Sequence, residues 1–502
     1  MNKKSKILCL FITTLFLANL FTGCKKSSTE QYYSQTSSKN EKDYDICIYN
    51  ARYNVSETFQ KLVDEYYSEN GVKIKVISPS KEDDSFEKLN SQLNSYEYPT
   101  IYSITSFKEL SNLQHDGFAW NFNDSNIDNF KELTQNIPND MRLSLNDSSN
   151  FGIPYGIEGY GYLVDRNVIS SIFGNDNVDS FINDLKSASY NDFEMLIKAL
   201  DYFIKNNEST YIYLNGNKYP IAPQKDDISK KLTGVFSVAG SEQWTYINHM
   251  INIAINTTFD SSLNAMNANK SQVELLYAPL KAYSKALDLK TSHTAGENGQ
   301  LERSDSYINP ELSTYDQAVK NFSDGKSIFI CQGNWSYNDI EKNNPELSDR
   351  LSIIPIKLPL NDYDIHLNDI SVESFNKSIP VYVSMYYGIN AKTSDKEKKL
   401  AQDFLVWLNT SDLGKKYIIN EFKYIPYDCD NNFESSYSIN NSILEYRKAG
   451  NTLSGAYMGS PYCSKNSFLG TKIKNEYLTK KFWSSKDYEY IANLAIEQWW
   501  KK

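Results

Sequence analysis

The sequence predicts a layered α/β protein with more than one core, and three observations carry that prediction. Strand-like and helix-like patterns alternate between residues 44 and 104. The body beyond residue 43 holds about 460 residues, more than a single hydrophobic core supports. A glycine-rich passage over residues 151–166 then suits a crossing between domains.

Each element follows from its pattern. YDICIY, residues 44–49, reads as a short strand. Phe59, Leu62, Val63, Tyr66 and Tyr67 recur at helical spacing, with Asn54 as the expected N-cap and Gly71 as the stop. Val72, Ile74 and Val76 alternate with lysines, a strand with one wet face. Phe86, Leu89 and Leu93 make a second helical stripe, and residues 99–104 a third strand. Sheets of this kind meet ligands at loops on the carboxyl ends of their strands, here residues 50–53 and 103–106. In the glycine-rich passage Glu158 stands among four glycines and a proline. Residues 325–340 read GKSIFICQGNWSYNDI: an apolar run broken by Gly333, with Trp335 at its exit. That indole suits core packing or a flat face for a ligand. Residues 395–408 give a charged start and then Leu400, Ala401, Phe404, Leu405 and Leu408 on one helical face, Trp407 packing at its edge.

The first residues are a targeting segment. Lys3, Lys4 and Lys6 precede an apolar run over residues 7–21, and LFTGC ends at Cys24. This is the layout of a secretory signal peptide, and LFTGC resembles the lipobox of bacterial lipoproteins. The alternative, an uncleaved anchor, needs roughly 20 apolar residues, and Asn19 interrupts a shorter run. Residues 24–43 would then be a lipidated cysteine followed by a polar tether.

Composition narrows the function. A net charge of −10 makes nucleic acid an unexpected partner. The 38 tyrosines suit wet, sugar-like or peptide-like surfaces, although an AT-rich genome also enriches Tyr, Asn and Lys. Cys47 and Cys331 read as core residues, whereas Cys429 and Cys463 stand open to pairing or to remaining free.

Enzymatic motifs fail one by one. His115, His249, His293 and His366 show no metal-ligand spacing. Gly325-Lys326-Ser327 resembles the end of a P-loop, but Lys320 occupies the upstream glycine position. Asp124, Asn126 and Asp128 open like an EF-hand loop, yet Asn129 and Gln135 stand where glycine and glutamate are required. No G-x-S-x-G elbow occurs, and no window singles out a glycosidase carboxylate pair. The expectation is no catalytic residue, no metal and no cofactor.

Several segments together resemble the extracellular solute-binding proteins of family 1, the carbohydrate-type, maltose-binding-like receptors of ABC importers. They are the lipobox, YPTIYSIT, IPYGIEGYGYLVDRNVI, GKSIFICQGNW, YYGINAKTSDKEKKLAQDFLVWLNTSDLGKKYI and KYIPYD. The chain departs from the family at Pro99-Thr100, where Pro-Asp is usual, and at Val164-Asp165-Arg166, where Tyr-Asn-Lys is usual. The resemblance implies a two-lobed periplasmic-binding-protein-like α/β fold with discontinuous lobes, a hinge and an interlobe cleft. The lobes would be residues 44–153 with 380–428, and 154–379 with 429–502, with crossings near Ile153, Pro380 and Cys429.

It also implies a site. Trp335 would stack on sugar, with Trp244 as a second platform. Glu158 would accept hydroxyl donors, and Asn50, Arg52, Ser384 and Tyr386 would add polar contacts. The partners implied are a carbohydrate, ABC permease subunits and a membrane reached through lipid on Cys24, with the chain a monomer on the extracytoplasmic face. A peptide or polyol phosphate receptor of the same fold is the alternative, and a surface glycosidase a more distant one.

Overall fold

The computed structural model describes residues 42–80, 84–146, 148–463 and 467–500. The expected signal peptide, Cys24 and nearly all of the tether lie outside the described residues. In chain order the strands are β1 (Ile46–Tyr49), β2 (Ile74–Ile77), β3 (Ile101–Ile104), β4 (Ile153–Pro154), β5 (Glu158–Asp165), β6 (Tyr211–Leu214) and β7 (Asn217–Pro220). They continue as β8 (Phe236–Ser237), β9 (Phe329–Gly333), β10 (Leu351–Ile354), β11 (Ile379–Tyr382), β12 (Tyr386–Ile389) and β13 (Thr452–Leu453).

The N-terminal alternation builds a first sheet of order β2-β1-β3-β12-β4. β1 runs parallel to β2 and β3, as strands joined through helices do, while β12 lies antiparallel to β3 and β4. The helix Ser56–Asn70 buries Phe59, Leu62, Val63 and Tyr66 and stops at Gly71, whose φ of 68° is left-handed. Tyr67 points to solvent instead, because the apolar stripe is one residue narrower than the spacing suggests. Asn54 does not cap this helix: it lies inside a 3₁₀ turn, Tyr53–Val55, that runs directly into it. The helix Asp395–Thr410 begins in a capping box of Ser394 and Glu397 and buries Ala401, Phe404, Leu405 and Leu408. Trp407 packs edge-on against Tyr66 with centroids 4.8 Å apart.

A second sheet has the order β13-β11-β5-β9-β8, with β10 also paired to β5. β5 is its axis and is buried along its whole length. Tyr160, Tyr162 and Val164 enter one apolar cluster and Leu163 another, the alternation expected of a strand covered on both faces. The glycines here serve close approach. A Cβ on Gly159 would stand 2.9 Å from Ile443 of the helix Ser438–Ala449.

The chain passes between the sheets three times. Residues 155–157 link β4 to β5, and residues 383–385 link β11 to β12. Residues near Ile425 form the third passage, where Ile425 bridges Ile157. Pro380 therefore sits within the second sheet, paired with Leu453, and the second passage falls a few residues beyond it. Residues Tyr44–Lys502 form one compact unit. Cys429 and Cys463 are both free thiols. No helix among the described residues is long and apolar enough to cross a membrane, and no group of metal-ligating side chains occurs among them.

Candidate functional site

The strands deliver polar side chains from three distant segments to one point. Glu158 opens β5 in the second sheet and is 6% exposed. Arg52 follows β1 in the first sheet and Ser384 lies in the second passage. Arg52 Nη2 donates to Glu158 Oε1 and, at 3.2 Å, to Ser384 Oγ. Ser384 Oγ in turn donates to Glu158 Oε2. Burial works against the charge on Arg52, but the carboxylate outweighs it and holds the guanidinium above its ordinary range. Arg52 also lies 5.7 Å from the ring centroid of Tyr424, within cation–π reach. Burial pushes the Tyr424 hydroxyl up to about 12, with Arg52 opposing.

Asn50 builds this corner from behind. Its Nδ2 donates to Arg52 O at 3.1 Å, and its Oδ1 accepts from Arg52 N at 3.2 Å and from the Tyr155 hydroxyl at 3.4 Å. With those atoms engaged inside the loop, Asn50 shapes the Arg52 turn. Tyr155 also shares a 2.7 Å hydrogen bond with Ser103 and stacks on Tyr387 at 3.6 Å. Tyr386 points the other way, into the first-sheet core, where its Cβ lies 2.7 Å from the place a Gly152 Cβ would take. Successive strand residues face opposite sides, so Tyr387 is the tyrosine of this pair that reaches the polar corner.

An aromatic group stands further along β5. Tyr160, two residues from Glu158, meets Tyr382 edge-on at 6.2 Å and Trp335 at 5.8 Å. Trp335 lies in the turn Asn334–Ser336 directly after β9, half-buried. Its ring folds back over Gly333, where a Cβ would come within 2.5 Å of the indole, which is why glycine precedes it. Trp335 Nε1 donates to Gln332 at 2.8 Å. Buried Asn334 ties the turn to the first passage by donating to Ile157 O at 3.2 Å. Trp244, also half-buried, donates to Glu242 at 2.8 Å, and Glu242 accepts from Tyr315 N at 2.7 Å. Both indoles are thus oriented by a neighbouring side chain.

His249 lies between them. Its ring is 4.9 Å from Trp335, 5.1 Å from Trp244 and 4.8 Å from Tyr160. Burial, with the nearby Lys290, lowers its pKa to about 3, while a hydrogen bond to the Cys331 backbone acts in the opposite sense. Lys290 is itself buried and donates to Thr245 O at 3.3 Å. His249 belongs to none of the metal spacings tested on the sequence, and a neutral packed histidine leaves no spacing signature. Tyr155 and Tyr424 stand inside IPYGIEG and KYIPYD, the segments that carry the family resemblance.

Other features flank this strip. Glu109 accepts from Thr105 N at 2.7 Å and from Thr105 Oγ1 at 2.6 Å, and burial raises its pKa. A cavity of about 360 Å³ lies behind the passages, lined by Tyr155, Asn409, Tyr427 and Cys429 among others. A smaller one of about 210 Å³ lies among Lys186, Lys377, Glu445 and Tyr446. Tyr155 is the only residue of the polar corner that lines either cavity.

The family model of bacterial extracellular solute-binding proteins matches residues 61–427. The chain belongs to that family. Among curated protein sequences none matches it. Solved structures of this solute-binding fold align along nearly the whole body. The raffinose complex of RafE, a protein whose apo form is described from Streptococcus pneumoniae, shares 15% identity. It covers 90% of this chain and 98% of its own, with a TM-score of 0.60. A Streptococcus pneumoniae solute-binding protein in complex with the blood group A-trisaccharide shares 14%, covering 90% and 99%, with a TM-score of 0.57. The GacH receptor of Streptomyces glaucescens, described unliganded and with acarbose, shares 9%, covering 91% and 98%, with a TM-score of 0.55. Such likeness establishes the two-domain fold, and the family description places the solute-binding protein outside the cell.

Proposed function

We propose that this chain is the substrate receptor of an ABC importer, anchored by lipid on Cys24, that captures an uncharged carbohydrate and presents it to the permease as a monomer. The observation that carries the reading is the polar corner of Arg52, Glu158 and Ser384, assembled from both sheets beside two oriented indoles. Glu158 and Ser384 offer polar atoms to hydroxyls, and Trp335 and Trp244 offer faces to the C–H patches of a sugar ring. Residues 44–153 with about 383–428 would move against the remainder, and ligand contacts to both halves would favour the shut form. The protein would release its ligand unchanged.

The polar corner weighs against a phosphorylated ligand. Arg52, the cation there, is engaged by Glu158, and the corner offers no second arginine to a phosphate. The carbohydrates named for the aligned structures, raffinose, blood group A-trisaccharide and acarbose, favour a sugar.

Titration calorimetry with those three compounds, chitin oligosaccharides, a sugar phosphate and a tripeptide tests the reading. At least one uncharged oligosaccharide should bind and be recovered intact. Binding of the phosphate or peptide alone, or hydrolysis of the sugar, would contradict it. Cys24→Ser should move the protein from the membrane fraction to the soluble one, and retention in the membrane would remove the lipid anchor from the account.

A further inference from the structure

Four buried polar side-chain atoms along the strip have no hydrogen-bond partner: Arg52 Nε, Tyr424 Oη, Tyr160 Oη and His249 Nδ1. Buried polar groups in native proteins are nearly always paired, so orphans gathered along one surface call for a reason. His249 is the most informative of the four. It is 5% exposed and surrounded by Trp244, Trp335 and Tyr160. The charged or titratable neighbours around it are Lys290, Cys331 and Tyr160, with Glu242 behind Trp244. Burial and Lys290 keep the ring neutral. A neutral imidazole carries one accepting nitrogen, and Nδ1 is the buried ring nitrogen left without a partner.

We propose that His249 determines ligand specificity at the aromatic end, with Nδ1 accepting a hydroxyl proton from an uncharged sugar ring seated against Trp244 and Trp335. This deepens the carbohydrate reading above and rests on it. Packing alone would be served as well by phenylalanine, which spares the cost of a buried unpaired nitrogen. A sugar hydroxyl supplies the missing donor and leaves both aromatic contacts in place.

The test starts from the sugar of the calorimetry panel that binds wild-type protein most tightly. His249→Phe keeps a flat ring and removes the acceptor. Its affinity for that sugar should fall at least tenfold, with melting temperature at pH 7 unchanged or raised. In wild-type protein carrying ¹⁵N-histidine, the Nδ1 resonance should shift when the sugar is added. Undiminished binding by His249→Phe, or an unmoved Nδ1 resonance in a wild-type protein that binds, would overturn the assignment and leave the carbohydrate reading standing. Binding of none of the sugars would overturn the carbohydrate reading and this inference with it. If the variant fails to fold, the resonance alone decides.

Discussion

The polar corner and the aromatic group meet at β5 through Glu158 and Tyr160, yet they are built differently. Arg52, Glu158 and Ser384 come from the first sheet, the second sheet and the passage between them, so their contacts exist only while the halves are together. Trp244, His249 and Trp335 all come from residues 244–335, between β8 and the turn after β9, so they keep their arrangement if the halves part. The corner engages its charges on each other, and both ends retain buried polar atoms without a hydrogen-bond partner.

Breaking the corner should have the largest effect. Arg52→Met leaves the Glu158 carboxylate buried without its cation, and removing one partner of such a pair costs about 3 kcal/mol or more. The double variant Arg52→Met/Glu158→Met removes both charges and should recover most of that loss in urea denaturation at pH 7. A double variant as unstable as the single one would mean that the pair is not the coupled unit described.

At the aromatic end the effect should fall on binding rather than folding. Trp335→Ala removes a half-buried face and should cost roughly 2 kcal/mol of sugar affinity, about 30-fold, in the manner of an interface hot spot. Its urea midpoint should stay close to wild type. A large midpoint loss with affinity intact would assign the indole to the core.

His249 gives a graded signature. Its pKa falls from the ordinary 6.5 to about 3 on folding, so the folded state binds fewer protons than the unfolded one between those values. Its contribution is complete above pH 6.5 and is lost as pH falls toward 3, at about 1.4 kcal/mol per unit within that window. Carboxylates titrate in the lower part of the same range, so the comparison is with His249→Phe. The variant should lose less stability than wild type between pH 6.5 and 5. Equal slopes would mean that the imidazole is not held neutral by its surroundings.

Much of the frame is legible in the sequence because it rests on local periodicity. The stripe Phe59, Leu62, Val63 and Tyr66, the Gly71 stop and the run before Trp335 all follow from spacing and backbone chemistry. The site is legible only in part. The resemblance marks Arg52, Glu158 and Ser384, but nothing local says that positions 52, 158 and 384 meet, because sheet order decides it. Tyr386 is marked by its motif, yet Tyr387 is the one that stacks on Tyr155 at the corner, because a strand alternates its faces and the motif does not state its register. Asn50 is marked as a contact by its loop position, yet its hydrogen bonds turn inward. His249 escapes notice because a neutral acceptor among aromatics has no sequence pattern.

The central claim is that two halves close over a shared strip, with the Arg52–Glu158 pair helping to hold them. Small-angle X-ray scattering of wild type and the Arg52→Met/Glu158→Met variant, each with and without the best-binding oligosaccharide, tests it most directly. The account predicts a larger radius of gyration for the variant alone and a return to the wild-type value on adding sugar. A variant as compact as wild type in both conditions, with sugar affinity unchanged, would contradict it.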